Sequence, residues 1–291
     1  MALLDRIKFL STTYTHDTIA FRRHLHANPE LSYHEYNTVK YVEDQLRAVG
    51  IDAIEPIATT GLIAEIRGRN PEKKMVALRA DMDALPIQEA NEVTYKSKKP
   101  GVMHACGHDV HTSSLLGTAR ILHSVREEFE GTIRFLFQPG EEKNPGGASY
   151  MIHEGALQNP TPAAIMGQHV FPLLPVGKVG FREGMYMASA DEIYLKVIGK
   201  GGHGAAPDLC IDPIVIASHI IVALQQIISR NANPRQPTVL TFGNIIGHGA
   251  TNIIPNEVNI AGTFRAMNEE WRESALIKIK KMAEGMAEAM G

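Results

Sequence analysis

Three short apolar runs in the first half of the chain each lead directly into polar residues. "MVALRA" runs into Asp81 and Asp83, "TIRFLFQ" into "PGEE", and "AAIMGQ" into His169. None of the runs alternates cleanly between apolar and polar positions, which is the pattern of strands buried on both faces. Strands of that kind, interleaved with helical stretches, predict an α/β fold with a mostly parallel sheet and helices on both of its faces. In open sheets of this class ligands bind beyond the carboxyl ends of the strands. Three polar clusters at three such ends therefore point to one shared crevice.

The helices can be read from their own punctuation. "HDTIAFRRHLHANPE" has helical spacing and stops near Pro29, and "YNTVKYVEDQLRAVG" ends on Gly50 in the position of a C-terminal cap. "TSSLLGTARILHSVREEF" supplies a third helix between "MVALRA" and "TIRFLFQ". After "FREGMYMASA" the order becomes strand "EIYLKVIG", a Gly/Pro loop, helix "PIVIASHIIVALQQIIS", strands "TVLTFGNI" and "NEVNIAGTFRAM", and helix "EEWRESALIKIKKMAEGMAEA". That β-α-β-β-α order matches a smaller α+β, ferredoxin-like unit without its last strand. A first domain over residues 1–185 and a second over residues 186–291 are expected.

Composition removes several function classes. With 29 basic against 32 acidic residues the net charge is −3, so no basic field gathers phosphates and no nucleic-acid partner is expected. The longest apolar runs, such as "IVIASHIIVAL", fall short of the roughly 20 residues that cross a bilayer, and no membrane span is expected. Asp5, Arg6 and Lys8 sit where a signal peptide would need its apolar stretch, which makes a cytoplasmic protein the expectation. Two cysteines, Cys106 and Cys210, are too few for a disulfide scaffold, so cysteine chemistry here means ligation or nucleophilicity.

The densest chemistry lies in "HACGHDVH", residues 104–111. Cys106 and His108 have the donor types that suit zinc, with manganese, cobalt or nickel also compatible. Alone, the pair is better read as a polar loop with a buried cysteine; a thiol nucleophile beside a histidine ranks below ligation, because at one-residue spacing the two side chains need not meet. Glu141 and Glu142 follow a strand and a Pro-Gly turn, and two adjacent carboxylates cannot point the same way. One can bind a metal while the other acts as a general base toward water, and the plain alternative is a solvated acidic turn. His169 is either a further ligand or a packed strand-end histidine. Asp81 and Asp83 either orient a ligating histidine from behind or cap the next segment.

"GKGGHG", residues 199–204, fits the dinucleotide pattern G-x-G-x-x-G, but Pro207 and Pro213 keep a helix from opening at the glycines. The acidic residue that such a site needs about 20 positions later is also missing. A flexible loop presenting His203 is the better account.

Taken in order, "RADMDALPI", "HACGHDVHTSSLLG", "FQPGEE", "GQHV", "GGHGAAPDLCIDP" and "TNIIPNEVNIAGTFR" resemble the dinuclear metallo-amidohydrolase and metallopeptidase family of aminoacylases, hippurate hydrolase and auxin-conjugate (IAA-amino acid) hydrolases. The resemblance runs from about residue 15 to the end. It implies two divalent metal ions, zinc or manganese with cobalt or nickel as alternatives, held by Cys106, His108, Glu142 and His169, with Cys106 bridging them. It implies that Glu141 is the general base that takes a proton from the attacking water and returns it to the leaving amine, and that Asp83 stands behind a ligand. His203 corresponds to a lid histidine that stabilises the oxyanion in a neighbouring subunit's site. Asn252 and Arg265 correspond to residues that hold the substrate carboxylate, a task suited to a guanidinium fork. The first domain is then catalytic, and the second a lid that forms a homodimer contact.

The implied activity is cleavage of N-acyl amino acids to a carboxylic acid and a free amino acid. The alternatives are a metallo-exopeptidase acting on dipeptides and a non-catalytic binding or dimerisation protein. Family members continue past this lid helix to a final lid strand, the rest of the catalytic domain and a last histidine ligand. The expectation is therefore a fragment that is weak or inactive by itself.

Overall fold

The computed structural model describes residues 2–291, which divide between Val176 and Gly177 into two compact units. The division precedes residue 185 because the change in residue pattern marks the approach to the second unit's first strand, whereas the first unit's sheet ends earlier.

The first unit runs α1 (Leu3–Ala27), α2 (Tyr36–Ala48), β1 (Ile54–Ile57), β2 (Gly61–Arg67), β3 (Met75–Asp81), α3 (His108–Ser124), β4 (Thr132–Gln138), α4 (Gly147–His153) and β5 (Ile165–Gly167). Its sheet has the order β1-β2-β4-β3-β5. β3 lies parallel to both β4 and β5, which is the parallel region expected from the unalternating runs. β1 and β2 are antiparallel, as is β2 with β4. The short turn between β1 and β2 permits no other pairing, since a parallel connection needs a crossover.

Each face of this sheet is covered. On one side Val42 and Leu46 of α2 and Leu115, Leu116 and Ala119 of α3 pack on Leu62, Ala64, Phe135 and Phe137. On the other, Met151 of α4 and Ala156 pack on Ile63, Ala77 and Leu136. Gly50, at φ +85°, ends α2, and the amide of Ile51 donates back to the Leu46 carbonyl at 3.1 Å. That left-handed position is cheap for glycine alone. Because β3, β4 and β5 are parallel, Asp81, Gln138 and Gly167 finish at the same edge of the sheet.

The second unit comprises β6 (Asp191–Ile198), β7 (Gly202–His203), α5 (Pro213–Gln226), β8 (Thr238–Ile246), β9 (Ile253–Ile254), β10 (Glu257–Ala266) and α6 (Glu269–Ala289). β6, β10 and β8 form an antiparallel sheet in that order. Ile216, Ile220 and Leu224 of α5 and Ala275 and Ile279 of α6 pack on its Val197, Val258, Ile260 and Phe264. Asp212 caps α5 by accepting from the amide of Ile214 at 2.9 Å, and Asn268 caps α6 by accepting from that of Trp271 at 2.7 Å.

A π turn carries α5 on to Asn231, and the resulting helix is long and apolar enough to cross a membrane by length and composition. Its buried residues, Ile227 among them, instead form part of this unit's core. Within "GKGGHG" Gly202 and His203 form β7, which pairs with β9, so His203 sits on a short strand and not on a flexible loop, and the next α-helix opens only at Pro213. No α-helix N-terminus therefore meets the glycine pattern.

Candidate metal centre

The first turn of α3 is bound to the end of β3. His108, His111 and Thr112 share a helix face by their spacing, and that face meets Asp81 and Asp83. Thr112 Oγ1 donates to the Asp81 carbonyl at 2.6 Å, and His111 Nδ1 lies 2.6 Å from Asp81 Oδ1. His108 Nδ1 lies 2.9 Å from the Asp83 carbonyl and 3.2 Å from Asp83 Oδ1. With Nδ1 engaged as a donor, Nε2 of His108 points elsewhere. It is buried and has no hydrogen-bond partner among the described residues.

Around that Nε2 three carboxylates gather, Glu142 at 3.7 Å, Asp81 at 3.8 Å and Glu141 at 3.9 Å. Arg79 offsets part of this charge, donating to Asp81 Oδ2 at 2.6 Å. Burial works against a charged His108, but the hydrogen bond to Asp83 and the charges of Asp81, Asp83 and Glu141 outweigh it and raise its pKa to about 9. The acidic surroundings favour positive charge at this nitrogen.

The loop that carries the glutamates is pinned at two amides. Gly140 N donates to Glu35 Oε1 at 2.7 Å, and Glu142 N to Asp83 Oδ2 at 3.0 Å. Glu141 lies between these anchors. Burial, reinforced by the neighbouring Glu142 charge, raises its pKa above the ordinary carboxylate range. A carboxylate so adjusted is a better proton acceptor at neutral pH.

Cys106 Sγ lies 3.3 Å from His169 Nε2, which joins the loop before α3 to the segment after β5. Burial and the Glu142 carboxylate push the Cys106 thiol up to about 12, so without a cation it holds its proton. A thiolate nucleophile is thereby disfavoured, whereas a metal ion would supply the charge that the thiolate needs. Donor atoms of Cys106, His108 and His169 lie within 4.8 Å of one another, as do those of His108, Glu141 and Glu142. Asp81, His108 and His111 form a third such group, but both ring nitrogens of His111 are already engaged, with Asp81 and with the Val170 amide.

The six first-unit residues to which the resemblance gives a role, Asp83, Cys106, His108, Glu141, Glu142 and His169, thus meet at one end of its sheet, with Asp81 beside them. His203, Asn252 and Arg265 belong to the second unit and are exposed. There His203 lies on β7, opposite Ile253 of β9, and the Asn252 carbonyl accepts from Gly204 N at 2.8 Å. Arg265 lies on β10 opposite Val239.

Three participants escaped the sequence reading. Ser32 donates to Asp83 Oδ2 at 2.6 Å, Glu35 holds Gly140, and His111, to which the sequence pattern assigns no role, is buried against Asp81. His104 is also buried, and burial lowers its pKa to about 4. The Asp81 spacing before Asp83 was the one available signal for His111's partner.

Residues 77–288 match the model of peptidase family M20/M25/M40. The chain belongs to this family. It is 42% identical over 287 residues to an N-acyl-L-amino acid amidohydrolase of Geobacillus stearothermophilus, covering 99% of this chain and 77% of that protein. An IAA-amino acid hydrolase of Arabidopsis thaliana is 46% identical, over 86% of this chain and 56% of its own length. Among solved structures, a dinuclear metal binding peptidase of family M20 from Bacillus subtilis superposes with a TM-score of 0.78 at 38% identity, covering 96% of this chain and 72% of that one. The chain thus spans between about half and three quarters of the length of these M20 relatives.

Proposed function

We propose that this M20 family chain carries the metal centre and general base of an amidohydrolase that cleaves N-acyl amino acids to a carboxylic acid and a free amino acid. The observation that carries the reading is the buried, unpartnered Nε2 of His108 amid Asp81, Glu141 and Glu142, beside the Cys106 and His169 pair. A thiol, two imidazoles and surplus carboxylate form a donor set that fits borderline-soft divalent cations. Cys106, His108, Glu142 and His169 would hold two such ions, zinc or manganese, with cobalt and nickel also compatible. When bound, they would act as Lewis acids toward the amide carbonyl and acidify water.

The remaining chemistry falls to the chain's own groups. A Glu141 carboxylate oxygen takes a proton from the attacking water and hands it to the nitrogen of the leaving amine. Asp83 fixes the tautomer and direction of His108, as a group behind a ligating imidazole does. From the second unit, His203 would donate to the developing oxyanion, and Asn252 and Arg265 would hold the substrate carboxylate. A homodimer formed through the second unit would let His203 serve the partner's site. The helix-free face of its sheet, with exposed Tyr194, Ile198 and Val239, supports that arrangement.

The test is metal analysis of purified protein together with a panel of acetyl-, benzoyl- and aminoacyl-amino acids. Bound divalent metal is expected, with any hydrolysis, weak in this chain by itself, directed at the acyl substrates. Hydrolysis confined to the aminoacyl substrates would replace this reading with an exopeptidase. Protein that neither takes up metal nor hydrolyses any of them would replace it with a binding role.

A further inference from the structure

His111 is fully buried, and a chain of hydrogen bonds passes through it. On one side its Nδ1 lies 2.6 Å from Asp81 Oδ1, while Arg79 donates to the other oxygen of the same carboxylate at 2.6 Å. On the far side its Nε2 lies 2.9 Å from the backbone nitrogen of Val170. A backbone amide only donates, so Nε2 of His111 is the acceptor and carries no proton. The ring is therefore neutral, with its proton on Nδ1 and directed at Asp81.

The next link lies in the segment after β5. The Val170 carbonyl is 2.7 Å from Nδ1 of His169, and a carbonyl only accepts, so His169 carries its proton on Nδ1. Its Nε2 is then bare and directed at Cys106 Sγ, 3.3 Å away. Packing supplies a second hold on the same residue. A Cβ added to Gly107 would lie 2.4 Å from Val170 Cγ2, so Val170 rests on the backbone between Cys106 and His108.

We propose that His111 is a positioning residue: by holding the Val170 amide it fixes the residue whose carbonyl sets the tautomer and direction of His169, and so presents Nε2 to the metal centre. The proposal rests on the reading of Cys106 and His169 as ligands. It explains why a buried histidine that has no free nitrogen to offer a metal stands one helical turn from His108. A partner that orients a ligand in this way typically changes metal affinity about 10- to 100-fold when removed.

Two substitutions separate the arms of the ring. His111→Asn keeps a donor for Asp81 but does not reach Val170, whereas His111→Gln brings an acceptor near the place of Nε2. The primary measurement is nitrogen NMR of the histidine rings in metal-free protein at about pH 8, where an ordinary imidazole is neutral; loss of signals in His169→Gln identifies the ring. Wild-type His169 is expected as the single Nδ1-protonated tautomer, His111→Asn as a mixture, and His111→Gln as the single tautomer again. Zinc affinity, read by chelator competition, should fall about 10- to 100-fold in His111→Asn and recover most of that in His111→Gln.

A wild-type His169 protonated on Nε2 overturns the proposal, as do variants indistinguishable from the wild type in both measurements. Should His111→Asn fail to fold, the wild-type tautomer decides alone. Wild-type protein that binds no zinc sinks the metal reading instead, and the NMR comparison still judges the role of His111.

Discussion

Asp83 holds His108 Nδ1 twice, through its backbone carbonyl at 2.9 Å and a carboxylate oxygen at 3.2 Å. Its other carboxylate oxygen accepts from Ser32 Oγ and from the Glu142 amide. One side chain therefore sets both an imidazole and the glutamate loop. Asp83→Ala should lower zinc affinity about 10- to 100-fold, read by chelator competition. Unchanged affinity would remove Asp83 from the architecture of the centre.

Glu141 is separable from metal retention. In Glu141→Gln the side chain keeps its size and loses its proton acceptor, so turnover of an acyl amino acid by the active protein should fall about 10²- to 10⁴-fold. Metal content by elemental analysis should stay at the wild-type level. Normal hydrolysis in this variant would disprove the assigned base.

Gly107 is constrained twice, by φ of +90° and by the approach of Val170. Gly107→Ala should cost about 1–3 kcal/mol, as strained left-handed positions do. A urea midpoint measured with and without zinc checks this, and the loss should be larger with zinc present, because the displaced segment carries His169. An equal loss in both conditions would place the strain outside the metal centre.

A second buried charge cluster gives the first unit a pH signature. His26 lies between Asp109 Oδ2 at 2.9 Å and Glu89 Oε1 at 3.0 Å, and Arg22 donates to the same Asp109 oxygen at 2.9 Å. The hydrogen bond to Asp109, reinforced by Glu89 and opposed by burial, raises the pKa of His26. Its contribution to stability is therefore fully present below the unfolded-state pKa, about 6.5, and is lost as pH rises through the folded value.

Asp109 and Glu89 behave oppositely. Burial works against their ionisation, but the His26 contact prevails and lowers both pKa values, so their contribution is lost as pH falls. In metal-free protein the urea midpoint of the wild type should decline on the alkaline side by more than that of His26→Gln. Parallel profiles for the two proteins would refute the assignment.

What the sequence disclosed followed from periodicity. The runs that became β3 and β4 lack alternation because helices cover both faces of the sheet, whereas β5 is an exposed edge strand, and the polar neighbours of all three runs mark the strand ends. β1 was not visible, since a four-residue strand containing Pro56 has too few positions to show a period and suits only an edge. The β7 and β9 ribbon is two residues long on each side and has no pattern of its own. Local spacing also did not distinguish the roles of His104, His108 and His111, all of which are buried. Their fates depend on what the end of β3 and the Val170 segment bring to them, which only tertiary packing determines.

The Cys106 and His169 contact closes a sequence separation of 63 residues, and it depends on β5 having added to β3. Pairing of such distant segments carries a loop-closure cost that local structure does not repay. An intermediate with α3 seated on β3 but β5 undocked would offer the thiol and His108 without the second imidazole. Zinc affinity should therefore rise in a discrete step late in refolding, which makes metal capture a clock for the arrival of the last parallel strand.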